Sequence, residues 1–339
     1  MTLNDIWFIL FVIIIAGYLI LDGFDMGVGI LHPFVAKTDM ERRVLLNSIG
    51  PVWDGNEVWL ILGGGVLFAA FPLVYASLFS GFYLAMMAVL LVMILRTVAI
   101  EVRSKRESPR WRSAWDTIFG LSSLGLALLL GVAFGNVISG VALDARGNIN
   151  MTLFDLLTPF ALLVGVTTVA MFAMHGAIFL TMKTEGELNT RLRKIIPALT
   201  AVFYALNTLA VLAVVAFRSD ITQRYLTLVW PIIFPALALV ALIVSWYLRR
   251  KGQDFWSFVA SSAMIALLLF SGAISMFPNL LVSTINPQFN LTIYNASSAD
   301  NTLTVMLVIA LIGMPLVLLY TTGVYYFFRG KVVVEPKSY

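Results

Sequence analysis

Residues 6–31 read IWFILFVIIIAGYLILDGFDMGVGIL, an apolar run interrupted by two charged residues, Asp22 and Asp25. About 20 residues of helix cross the hydrocarbon of a bilayer, so this stretch can span one while carrying two carboxylates into it. An Asp at a helix centre costs roughly 2.5–3.5 kcal/mol on insertion scales, and less near the interface. Asp22 and Asp25 are three residues apart and share one helix face. Asp25 stands about 10 Å short of the end of the run at a rise of about 1.5 Å per residue.

The same reading extends outward along the chain. Further apolar segments lie at 53–75, 78–100, 117–139, 156–182, 197–217, 226–248, 255–277 and 303–328. The composition agrees: 60% hydrophobic and 12% charged over 339 residues, against roughly 45–50% and about 25% for soluble proteins. The expected fold is an all-α integral membrane protein of nine transmembrane helices. No loop is long enough for a separate soluble domain. The opening MTLNDIW lacks a basic region and a cleavage site, so the first helix reads as retained rather than as a signal peptide.

Charge orients the chain. Loops after the first, third, fifth, seventh and ninth segments hold 18 of the 22 Lys and Arg, the other loops hold 3, and Arg96 lies inside the third segment. Basic loops stay cytoplasmic, which puts the N-terminus outside and the C-terminus inside. The net charge of +4 therefore belongs to membrane loops, and no nucleic-acid partner is expected. Thr38 and Glu41 have capping-box spacing ahead of Val44, Leu45, Leu46 and Ile49, which suits a short interfacial helix. Ser108–Pro109 reads as the start of a second one, with Trp111 and Trp115 as anchors.

The absence of Cys excludes disulfides, thiolate metal sites and Cys nucleophiles. Two histidines, His32 and His175, are too few for a multi-His metal site, and a lone His in a membrane helix is more often a hydrogen-bonded packing residue. No Walker A, G-x-G-x-x-G, H-E-x-x-H or G-x-S-x-G motif occurs. What remains is a set of polar residues toward the cytoplasmic side: Asp22 and Asp25, then Asp54 and Glu57 at the same spacing, and Arg96. Gly23 and Gly27 straddle Asp25, and Gly63, Gly64 and Gly65 thin the second segment. The bland reading is carboxylates touching headgroups and water. The functional one is a buried cluster, partly neutralised by Arg96, that passes protons, with Asp25 and Asp54 foremost and Glu57 and Asp22 behind them. A proton- or cation-coupled transporter would place carboxylates on glycine-rich helices too, although nearer the midplane. A purely structural scaffold would need no intramembrane acids.

LDGFDMGVGIL from Leu21 and ERRVLLNSIGPVWDGNEVWLILGGGVLFAAFPLVYASLFSGFY from Glu41 resemble subunit II of the cytochrome bd quinol oxidases. RSKRESPRWRSAWD from Arg103, GVAFGN from Gly131, TEGEL from Thr184, MFPNLL and NASSADNTLTVM continue the likeness over essentially the whole chain. The resemblance implies a bacterial inner-membrane terminal oxidase that oxidises quinol and reduces dioxygen to water. It implies two four-helix bundles plus a peripheral helix, here 1–140, 141–277 and a remainder at 278–339 with the outer loop, ninth helix and cytoplasmic tail. Subunit I is then the partner that carries two b-type haems and haem d, and this chain binds no cofactor. A small single-helix accessory subunit and membrane lipids are further expected partners. The family's acidic proton-route positions fall on Asp25 and Asp54, and its helix-3 arginine on Arg96.

Overall fold

In the computed structural model, which describes residues 1–334, twelve α-helices and a short antiparallel ribbon form the chain. Residues 335–339, the end of the expected tail, lie outside the described residues. Eight helices are long and apolar enough to cross a membrane: α1 (Leu3–Val35), α5 (Tyr83–Val102), α6 (Pro109–Ser139), α7 (Pro159–Lys183), α8 (Gly186–Phe217), α10 (Ile233–Arg250), α11 (Asp254–Met276) and α12 (Asp300–Phe327). The shorter ones are α2 (Asp39–Ile49), α3 (Trp53–Ala70), α4 (Pro72–Gly81) and α9 (Ser219–Leu228).

The expected second span is the exception to the count of nine. Helix α3 stops at Ala70 because Phe71 leaves helical geometry at φ −133° and ψ 61°, and Pro72 starts α4. Its 18 residues rise about 27 Å, and Asp54, Asn56 and Glu57 make its first turns polar.

Helix α1 is longer than its apolar run. A reciprocal capping box joins Thr2 and Asp5 at its start, and it continues through Pro33 to Val35. Asp25 therefore sits about 15 Å from the helix end, deeper than the sequence implies. Thr38 and Glu41 form the expected capping box of α2. Ser108 precedes Pro109 as expected, but no separate interfacial helix follows, since residues 109–139 form one continuous α6.

Helix α1 is the central element and packs on α3, α6, α7 and α11, while α7 also packs on α6 and α8. Glycine makes the α1–α7 approach possible. A Cβ at Gly27 would strike the Phe172 carbonyl and the Gly176 backbone, and one at Gly176 would strike Gly27. Helix α12 lies at the edge with Leu303 as its buried residue, and the Trp7 indole N–H holds it by donating to the Leu303 carbonyl at 2.9 Å. The ribbon pairs β1 (Asn279–Leu281) with β2 (Leu291–Thr292) at the end of the molecule away from α2.

Candidate functional site

The polar residues of α1, α3 and α5 meet inside the helix packing. Asp22, Asp25 and Arg96 are completely buried. Both terminal nitrogens of Arg96 donate to Asp22, Nη1 to Oδ2 at 3.0 Å and Nη2 to Oδ1. Glu57 Oε1 lies 3.7 Å from Arg96 Nη2. A fork-to-carboxylate pair of this kind fixes orientation as well as charge.

Asp25 is held differently. Its Oδ2 accepts from Asn56 Nδ2 at 2.7 Å, and that amide also donates to the Leu21 carbonyl at 3.3 Å. Asn56 Oδ1 in turn accepts from the Tyr325 hydroxyl of α12 at 2.8 Å. The amide is thus fixed in one orientation by an acceptor on one side and a donor on the other. Asp25 Oδ1 is buried without a hydrogen-bond partner. Arg96 serves Asp22, so Asp25 has a neutral amide as its direct partner and one carboxyl oxygen left open.

Asp54 does not join this group. It stands on the exposed face of α3, in line with the exposed Val58, Ile61 and Phe68. The sequence puts Asp54 beside Asp25 and Asp22 behind them, whereas the structure gives Asp22 the arginine. Asn56 and Tyr325 join the site without being among the residues to which the sequence points. Asn56 could have been found as a third polar residue in the first turns of α3, while Tyr325 is one tyrosine of an apolar helix and gives no local signal.

Beneath Tyr325 a cavity of about 430 Å³ opens at the basic end of the molecule, lined by Asn47, Ser48, Phe179, Lys183, Tyr325 and Lys331, among others. Its two lysines cap helix ends reciprocally. Lys331 donates to the Thr181 and Thr184 carbonyls at the end of α7, and Lys183 to the Phe328 carbonyl after α12. The order of groups from this cavity inward is Tyr325, Asn56, Asp25.

A second charged network ties the elements at that end. Asp116 accepts from Arg103 Nε at 2.8 Å and from Arg42 Nη1 at 2.8 Å, with His32 Nε2 at 3.5 Å from it. Asp39 bridges Arg103 at 2.7 Å and Arg112 at 2.8 Å. Burial opposes ionisation of Asp39, but the hydrogen bond and charge of Arg103, then the charge of Arg112, outweigh it and hold its carboxyl below the ordinary value. Glu41 is held low in the same way: against burial stand Arg191 of α8 and the backbone N–H groups of Lys37 and Thr38.

Both histidines are completely buried, and they are held differently. His175 Nδ1 lies 2.8 Å from Ser261 Oγ and its Nε2 lies 3.1 Å from the Ile20 carbonyl, with the ring stacked on Phe258 at 4.8 Å. His32 is packed against Phe119 and Asp116. Among the described residues no group of three or more His, Cys, Asp or Glu could hold a metal ion.

Comparison with known proteins places this architecture. The sequence model of the family described as cytochrome bd terminal oxidase subunit II matches residues 3–328. The cytochrome bd ubiquinol oxidase subunit 2 of Bacillus subtilis (strain 168) is 37% identical, over 100% of this chain and 99% of its own length. The cytochrome bd-I ubiquinol oxidase subunit 2 of Escherichia coli (strain K12) is also 37% identical, over 98% of this chain and 96% of its own. A chain in the structure of bd oxidase from Geobacillus thermodenitrificans shares the fold, with a TM-score of 0.81 and 18% identity over 97% of this chain and 98% of that one.

Proposed function

This chain belongs to the cytochrome bd terminal oxidase subunit II family, and from that premise we propose that it carries protons inward for a quinol oxidase whose redox centres sit on subunit I. The observation that carries the reading is the ordered set from the basic-end cavity through Tyr325 and Asn56 to Asp25, beside the Asp22–Arg96 pair. Reducing dioxygen to water consumes protons, and a route for them needs titratable or hydroxylic groups within hydrogen-bond reach, directly or through water. Tyr325 and Asp25 are such groups. Asn56 is not itself a ready proton carrier, and its part is to hold Asp25 by Oδ2 so that Oδ1 stays open for exchange.

The basic end is the cytoplasmic side in this reading, because Lys and Arg concentrate in its loops. Asp54 stands apart from this set, on the exposed face of α3. A carboxylate facing lipid is costly, so the exposed face of α3 calls for cover by a partner helix. Gly64 and Gly65 leave open space there for a close approach. In the same reading the redox centres sit on subunit I and this chain ligates no haem iron; the engagement of both ring nitrogens of His175 supports it. Replacing His32 or His175 in the assembled complex should leave every haem signal in place, and loss of one at equal subunit content contradicts this.

The test of the proton reading is Asp25→Asn in the assembled oxidase. The amide keeps the shape and an acceptor for Asn56 but cannot carry the proton. Oxygen consumption should fall while haem content and subunit ratio stay normal. Unchanged turnover at normal assembly rejects it.

A further inference from the structure

At the end of the molecule opposite the Arg103–Asp116 network, α8 breaks at Arg218 and α9 runs across the end of α11. A cavity of about 400 Å³ lies there, lined by Arg218, Asp220, Gln223, Arg224, Ser275 and Asn279, among others. Its donors are not used up. Arg218 gives Nε and Nη2 to Asp220 at 2.8 and 2.6 Å, but its Nη1 is buried without a hydrogen-bond partner. Arg224 forms no ion pair among the described residues, its buried Nε is also without a partner, and its guanidinium stands 6.0 Å over the Phe277 ring.

Burying a guanidinium N–H without an acceptor is costly. Two arginines that line one cavity and are each left short of an acceptor suit a ligand rich in acceptor oxygens. Charge narrows the class. The two guanidiniums face one carboxylate, and Asp220 is kept ionised by the hydrogen bond from Arg218, which holds it below its ordinary value. One positive charge is left over, matching a single anionic group.

The surroundings say what that group is attached to. Phe217, Leu226 and Trp230 are exposed around α9, with 82%, 75% and 58% of their surface open. Helix α9 carries Asp220, Gln223 and Arg224 beside Ile221, Leu226 and Leu228, the pattern of a helix lying in the membrane interface. Trp prefers that depth as well. We propose that this cavity binds the phosphate of an anionic phospholipid in the leaflet at this end, with Arg218 and Arg224 as donors and the acyl chains on the apolar rim. Free phosphate shares the donors but has no use for the rim. A zwitterionic lipid would bring its own cation beside two arginines.

The test uses the purified, delipidated complex with three probes: phosphatidylglycerol, phosphatidylcholine and inorganic phosphate. Retained lipid is counted by native mass spectrometry, and the thermal midpoint is recorded with each probe. Phosphatidylglycerol should raise the midpoint of the wild type more than phosphatidylcholine does, and inorganic phosphate should not reproduce the gain. Arg224→Gln should bind phosphatidylglycerol about tenfold more weakly or worse, the order expected for a lost charge-assisted bond, and Arg224→Lys should recover part of it. Equal gains from both lipids in the wild type overturn the proposal whatever the variants do. Full protection by inorganic phosphate overturns the lipid assignment, and so does unchanged phosphatidylglycerol affinity in a folded Arg224→Gln.

Discussion

Arg96 illustrates how much one buried residue decides. It is fully buried on a transmembrane helix, and both of its terminal nitrogens are spent on Asp22. Removing one partner of such a pair strands the other charge and costs about 3–5 kcal/mol. Asp22→Asn should therefore lower the amount of assembled complex and its thermal stability, measured in membranes and after purification. Stability equal to wild type would show that Arg96 finds another anion. Tyr325→Phe is the gentler change, since it deletes one hydroxyl and leaves the ring against Phe24. Turnover should fall in fully assembled enzyme, whereas a merely structural hydroxyl would lower assembly and leave the activity per complex intact. The sequence made the acids and Arg96 visible because charge inside an apolar run is rare. It did not reveal which acid takes the arginine. Asp22 and Asp25 share a face, and only the rotation of α1 against α5 separates their roles. Asp54 reads like Asp25 in the sequence, yet it lies on the outer face of α3.

Among the elements, α2 is the clearest case of a local signal reaching tertiary structure. Glu41 closes the capping box on Thr38 and also receives Arg191 from α8, so one side chain both starts a helix and docks it. Its native carboxyl is held below the ordinary value. The resulting stabilisation is full at pH above the ordinary glutamate range and disappears as pH falls through the lowered native value. Wild type should exceed Glu41→Gln in thermal stability near neutral pH, and the two should converge in acid. A gap that does not depend on pH would show that packing, not charge, joins α2 to α8. The α1–α7 contact makes a steric prediction. Gly27→Leu or Gly176→Leu forces the two backbones apart, so the complex should fail to accumulate, while Gly65→Leu, facing open space in this chain, should spare the fold and weaken association with subunit I. Helix existence was legible from apolar length alone. The break at Phe71 was not, because a Phe-Pro step inside a hydrophobic run looks like continued span until backbone angles are known.

For the whole molecule, the proton reading depends on the orientation proposed from the loop charges. The chain has no Cys, so single cysteines can be placed without background. A Cys at the exposed Ser108 should resist an impermeant reagent applied outside intact cells and react in inverted vesicles, and the opposite pattern would reverse the topology. Family membership was legible because long motifs run through the chain, while the cavity under Tyr325 depends on how α2, α7 and α12 converge and has no sequence signature. The central claim is that protons enter from the basic end and reach Asp25. The measurement that bears on it most directly is proton uptake in vesicles of assembled oxidase, followed with a pH indicator on the side of the basic loops during oxygen consumption. Asp25→Asn should slow uptake and oxygen consumption together, by about tenfold or more if this carboxyl is an obligatory carrier, with haem content unchanged. Wild-type uptake on that side in fully assembled Asp25→Asn would contradict the account.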